Sequence, residues 1–111
     1  MATLSSHLLN SVDGTHASGV KVIINQINSL GVKKIFFETE TDDGGRILKD
    51  FELSNDDCEC DYEMVCKTAD YFSKKKIISE IIIKFRMEDP KKKYHLPIII
   101  SPNGYSIWWS Q

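Results

Sequence analysis

A chain of 111 residues with 41% hydrophobic and 27% charged side chains has the composition of one globular domain over residues 1–111, able to bury roughly 60–70% of its unfolded surface. Fourteen Lys and Arg against sixteen Asp and Glu leave a net charge of −2, which lacks the broad positive field that nucleic acid or anionic membrane binding needs, so neither partner is expected. The longest mostly apolar stretch, 77–83, is broken by Ser79 and Glu80 and falls far short of the ~20 residues that cross a bilayer. Without a basic and apolar leader, and with Trp-Ser-Gln in place of a peroxisomal address, the expected compartment is the cytoplasm.

The apolar pattern has period two, in short runs punctuated by Gly, Asn, Asp and Pro, so an all-β sandwich of eight strands with one short helix is expected. Residues 3–9 read as the first strand and 20–27 as the second, separated by the turn-prone stretch 10–19. A third strand covers 32–39. Thr41-Asp42-Asp43-Gly44-Gly45-Arg46 reads as a loop, because paired glycines and acidic turn formers supply backbone conformations that strands avoid. A short strand over 47–53 follows, then a fifth over 61–67. Residues 68–74 fit one or two helical turns capped by Thr68, the only helix the pattern offers. The strongest strands are 81–88 and 94–100, and Ser101-Pro102-Asn103-Gly104 turns the chain into a last strand over 105–109. The runs Lys74-Lys75-Lys76 and Lys91-Lys92-Lys93 fall in connections and read as solvated charge.

Side-chain parity then locates the candidate chemistry. On the first strand His7 shares a face with Ser5 and Leu9, while Leu4, Ser6 and Leu8 point the other way. On the seventh, His95 shares a face with Pro97 and Ile99, leaving the heavier set of Tyr94, Leu96, Ile98 and Ile100 for the interior. His95 is thus expected on an outer sheet face that is unusually apolar, which points to contact with another subunit. Arg46, after the glycine turn, adds a fixed positive charge suited to a developing oxyanion, although a loop arginine is commonly only solvated. No Gly-x-Ser-x-Gly elbow and no phosphate-cradling glycine loop is present. Cys58, Cys60 and Cys66 lack zinc-ligand spacing and read as free thiols without a role, the first two on an extended segment that turns both to one face. Periodicity and chemistry alone leave the histidines between surface residues and a site.

Three ordered segments go further. Leu4-Ser5-Ser6-His7-Leu8-Leu9 followed by Gly19-Val20-Lys21-Val22, the loop Thr41 to Arg46, and Tyr94-His95-Leu96-Pro97-Ile98-Ile99-Ile100-Ser101-Pro102-Asn103-Gly104-Tyr105-Ser106 together resemble the transthyretin-like family, and within it the 5-hydroxyisourate hydrolases of purine and urate degradation. The third segment is similar to that family's most diagnostic run, His-Val-Pro-Leu-Leu-Leu-Ser-Pro-x-x-Tyr-Ser. The resemblance implies a two-sheet sandwich and a homotetramer, a dimer of dimers, with active sites in the channel where outer sheet faces meet. It implies a catalytic set of His7, Arg46 and His95, where hormone-carrying members resemble lysine, glutamate and threonine. The implied activity is hydrolytic ring opening of 5-hydroxyisourate to 2-oxo-4-hydroxy-4-carboxy-5-ureidoimidazoline, with no metal or other cofactor. The chain departs from the family's closing Tyr-Arg-Gly-Ser at Trp108-Trp109-Ser110-Gln111, from its usual proline at Ser79 and from its common aspartate at Asn10. Ser106, Trp108 and Gln111 are the expected substrate-binding positions of the tail. Two alternatives share the fold: a channel that carries small aromatic ligands, favoured by the tail tryptophans, and a tetrameric relative without activity.

Overall fold

The computed structural model describes residues 1–73 and 77–110. Two four-stranded sheets face each other, and among the described residues two short helical turns lie in connections, one leading from the first sheet to the second and one within the second. The strands are β1 (Ala2–Asn10), β2 (Lys21–Ile27), β3 (Lys33–Glu40), β4 (Arg46–Phe51), β5 (Asp61–Cys66), β6 (Ile81–Arg86), β7 (Lys93–Ser101) and β8 (Gly104–Ile107). One sheet has the order β4-β1-β7-β8 and the other β3-β2-β5-β6. Every pairing is antiparallel except β1 with β7, which run parallel.

The period-two pattern explains this arrangement. Leu4 and Leu8 of β1, Val22 and Ile24 of β2, Tyr62 and Met64 of β5, and Ile98 and Ile100 of β7 are fully buried between the sheets. Ser6 occupies an inward position on β1 and is also buried, at the cost of a polar group in an apolar layer. Its hydroxyl offsets that cost by donating to the Leu96 carbonyl. The hairpin Ser101 to Gly104 closes on Pro102 and Asn103, and the Ser101 hydroxyl donates to the Gly104 carbonyl at 3.0 Å.

The expectation of one helix is corrected to two among the described residues, α1 (Asn55–Glu59) and α2 (Thr68–Tyr71). Ser54 caps α1: its hydroxyl accepts from the Asp57 N–H at 3.1 Å, and the Asp57 carboxylate accepts from the Ser54 N–H at 3.0 Å. This capping box takes Cys58 into the helix and leaves Cys60 at its C-cap, so the Cys58 and Cys60 side chains are not ranged along one extended face. In α2 the expected cap is also displaced. Thr68 is buried as the first helical residue, Lys67 takes the N-cap position without a side-chain bond, and its Nζ lies 2.7 Å from Glu80. The run Lys74-Lys75-Lys76 lies outside the described residues. Among Lys91, Lys92 and Lys93, Lys92 is not merely solvated: its Nζ sits 4.5 Å from the Trp109 ring centroid.

Candidate active site

The outer face of the first sheet is organised in rows that run across the strands. Opposite His7 on β1 stands Arg46 of β4 on one side and Pro97 of β7 on the other. Opposite Ser5 stand Leu48 of β4 and His95 of β7. The last residues continue both rows. The Trp108 N–H reaches the Pro97 carbonyl at 3.4 Å, and the Ser110 N–H donates to the His95 carbonyl at 3.0 Å. One row therefore reads Arg46, His7, Pro97, Trp108, and the next reads Leu48, Ser5, His95, Ser110. A strand spacing of ~4.8 Å and two residue rises of ~3.3 Å put the backbones of His7 and His95 roughly 8 Å apart. The expected histidine face is the observed one, since the alternate residues Leu4, Leu8, Leu96 and Ile98 are buried.

Each group is held by local structure. His95 Nδ1 lies 2.8 Å from the Ser5 hydroxyl, which fixes the plane of the ring from the neighbouring strand. Arg46 is aimed by the loop before it. The Asp42 carboxylate accepts from the N–H groups of Gly44 at 3.0 Å and Arg46 at 2.9 Å, and the Asp42 N–H donates to the Arg46 carbonyl at 2.9 Å. Gly45 takes φ +73° and passes so close to β1 that its carbonyl accepts from the Leu8 N–H at 2.8 Å. Arg46 thereby enters β4 directly across from His7, with its side chain exposed on the same face.

His7 carries a perturbed proton affinity. Partial burial, then the positive Arg46 and the neighbouring His16 ring, hold its imidazole below the ordinary value of 6.5, against a backbone hydrogen bond to Gly44 that favours the protonated ring; His95 adds to the lowering. The residue is thus biased toward the neutral, proton-accepting form.

His16 is the group that sequence reasoning missed. It lies in the stretch read only as turn-prone, and the chain reverses there so that His16 bridges back to Leu9. Its Nδ1 is 2.8 Å from His7 Nε2. Ser110 was missed as well, although extending the register of the last strand by three residues brings it beside His95.

The tail separates by parity. Ser106 is exposed opposite Ile99, and Trp108 is 47% exposed on the His7 row. Trp109 turns the other way, lining a cavity of about 200 Å³ with Phe85, Arg86, Tyr94 and Leu96. Gln111 lies outside the described residues. Around the three polar groups the face is apolar: Leu48 is 71% exposed, Leu9 and Ile99 are half-buried, and Pro97 is buried on the row of His7. Among the described residues no cluster of three or more His, Cys, Asp or Glu has the geometry of a metal site, and no helix is long and apolar enough to cross a membrane.

Comparison with known proteins gives these rows a context. Residues 4–109 match the HIUase/Transthyretin family. A 5-hydroxyisourate hydrolase of Halalkalibacterium halodurans is 27% identical over 112 residues, 95% of this chain and 94% of its own. One from Salmonella typhimurium is 32% identical over 108 residues, 95% of this chain and 78% of its own. The solved structure of Klebsiella pneumoniae 5-hydroxyisourate hydrolase superposes over the whole of both chains with a TM-score of 0.81 at 25% identity.

Proposed function

The chain belongs to the HIUase/transthyretin family, and we propose that it is a 5-hydroxyisourate hydrolase of urate breakdown that works with His7, Arg46 and His95. The observation that carries the assignment of residues is the row geometry: two imidazoles and a guanidinium from three adjacent strands share one outer face, and the register supports their convergence on one small ligand.

The reaction adds water across a ring amide of 5-hydroxyisourate. The water oxygen bonds to the carbonyl carbon, the carbon–nitrogen bond of the six-membered ring breaks, and the nitrogen leaves with a proton as part of the ureido group. His7, whose protonated form is disfavoured by partial burial and by Arg46, is suited to remove the proton from the attacking water. His95, oriented by Ser5, is suited to align the water or to protonate the departing nitrogen. Arg46 supplies a positive charge opposite the anionic, oxygen-rich substrate and the negative charge that grows on the carbonyl oxygen. Ser106 and Trp108 border this face as substrate contacts. Gln111 remains a substrate-contact proposal from the sequence alone.

The apolar surround supports a further part of the reading. Leu48 and Trp108 flank the catalytic groups while largely open to solvent, which is a costly exposure for an isolated chain. A homotetramer built as a dimer of dimers would cover this face and wall the site into a channel.

The test couples the purified protein to urate oxidase and follows decay of 5-hydroxyisourate. Wild-type protein is expected to accelerate the decay, and His7→Asn or His95→Asn to abolish the acceleration while size-exclusion chromatography still reports the tetramer. Decay at the spontaneous rate with the wild-type protein would overturn the assignment.

A further inference from the structure

His16 is built into the site rather than resting beside it. Two backbone hydrogen bonds bracket its bridge to β1: the Asn10 N–H donates to the Thr15 carbonyl at 2.8 Å, and the Ala17 N–H donates to the Leu8 carbonyl at 2.9 Å. Buried Thr41 clamps the same segment. Its hydroxyl donates to the Ala17 carbonyl at 2.6 Å and accepts from the Val20 N–H at 2.9 Å. Gly45 seals the underside, for a Cβ there would stand 3.3 Å from that of His16. An exposed imidazole on so constrained a backbone keeps one place relative to β1.

That place is against His7. The rings stack with centroids 4.9 Å apart and planes at 21°, and His7 Nε2 faces His16 Nδ1 at 2.8 Å. A hydrogen bond between two imidazole nitrogens needs one donor and one acceptor. The pair meets this condition with both rings neutral, and also with one extra proton between them. A second extra proton makes donors of both nitrogens, breaks the bond and sets two like charges in contact, with Arg46 directly across the strand.

We propose that His16 is a positioning residue for His7: it fixes the plane and tautomer of that ring and lets the pair accept one proton from water while resisting a second. The inference rests on the reading of His7 as the group that activates water. The charged and titratable groups that act on His7 are Arg46 from β4, His16 from the return segment and His95 from β7, with the Gly44 backbone opposing them.

The experiment measures kcat and KM against pH for wild type, His16→Ala and His16→Asn, and follows the His7 ring by NMR titration of the same proteins. In His16→Ala the loss of one orienting hydrogen bond is expected to lower kcat about tenfold with KM unchanged. With a like-charge neighbour gone, the acid limb of the profile and the His7 titration should both move to higher pH. His16→Asn retains an amide oxygen that can accept from the His7 Nε2–H, leaving Nδ1 free to take the proton, but carries no charge, so kcat should recover while the acid limb stays displaced. His7 resonances and acid limbs that superimpose in all three proteins would overturn the proposal, as would a rise in KM at unchanged kcat. The NMR titration needs no turnover, so a wild-type protein that fails to hydrolyse 5-hydroxyisourate would defeat the functional reading while the coupling of the two rings is still measured. Equal melting temperatures certify the variants, and Asn serves if Ala misfolds.

Discussion

Gly45 is the residue on which the geometry of the site can be tested most sharply, because its neighbour Gly44 provides an internal control. Gly45 has φ +73°, and a Cβ added there would lie 2.5 Å from the Leu8 carbonyl oxygen and 3.0 Å from the Ala17 nitrogen, both backbone atoms that cannot swing away. Gly44 is not in the left-handed region, and a Cβ on it would meet only the Asp42 carboxylate at 3.4 Å. Replacing Gly45 by Ala imposes about 1–2 kcal/mol for the left-handed backbone. Relief of the clash requires the loop to draw back from β1, which weakens the hydrogen bond from the Leu8 N–H to the Gly45 carbonyl and removes roughly 1 kcal/mol more. The expected total is about 2–3 kcal/mol, against no more than about 0.5 kcal/mol for Gly44→Ala. Urea unfolding at one fixed protein concentration measures both, and the thermal midpoint of Gly45→Ala should fall by about 10 °C or more. Because the same junction carries Arg46 and borders His16, the lost stability should come with lost turnover. A Gly45→Ala protein as stable as Gly44→Ala would refute the close approach and the alignment derived from it.

Three further outcomes follow from the site and its surroundings. Ser5→Ala frees the His95 ring from its 2.8 Å partner and is expected to lower kcat about tenfold at unchanged circular dichroism; an unaltered kcat would show that Ser5 does not orient His95. Arg46 is exposed and belongs to none of the ion pairs of the described residues, so Arg46→Ala should leave the unfolding midpoint in place and reduce kcat/KM by about 10²–10³, measured in the urate oxidase coupled assay. Burial pushes the Cys66 thiol up to about 12, and burial followed by the Asp57 charge raises Cys58 and Cys60, so native protein at pH 8 should alkylate slowly and unfolded protein should take up three equivalents, as read by intact mass.

The legible parts of the molecule are those where one sheet face is buried. A strand with a buried side cannot slip by one residue without exposing its whole apolar set, so Leu4 and Leu8 fix the direction of His7, and Leu96 and Ile98 fix that of His95. Arg46 was legible through its glycines, since the turn they permit must end near the start of the next strand. His16 was not, because nothing periodic marks it. Its position follows from a reversal after Asn10, in which the Gly14 N–H donates to the Asn10 carbonyl and the Asp13 carboxylate accepts from the Thr15 N–H. Only that reversal sets residue 16 beside residue 9. The first helix did leave a trace in Ser54 and Asp57, three apart, but a five-residue helix has no room for an apolar stripe to confirm a capping box.

Pro97 connects the two halves of the site. An interior strand ordinarily excludes proline, because the missing N–H leaves a gap in the ladder. Pro97 stands between β1 and the tail, and its carbonyl faces Trp108. In an antiparallel pair of this register its N–H would be the group to answer the Trp108 carbonyl, so the ring removes half of that pair. The regular strand β8 accordingly ends at Ile107, the Trp108 contact is stretched to 3.4 Å, and pairing resumes only where the Ser110 N–H meets the His95 carbonyl at 3.0 Å. The tail keeps its register with β7 across the interruption. Trp108 stays on the row of His7 and Ser110 on the row of His95, while Trp109 packs toward the sandwich edge. The register of β8 with β7 thus holds on both sides of Pro97, and parity alone carries Trp108 and Ser110 to the histidine face.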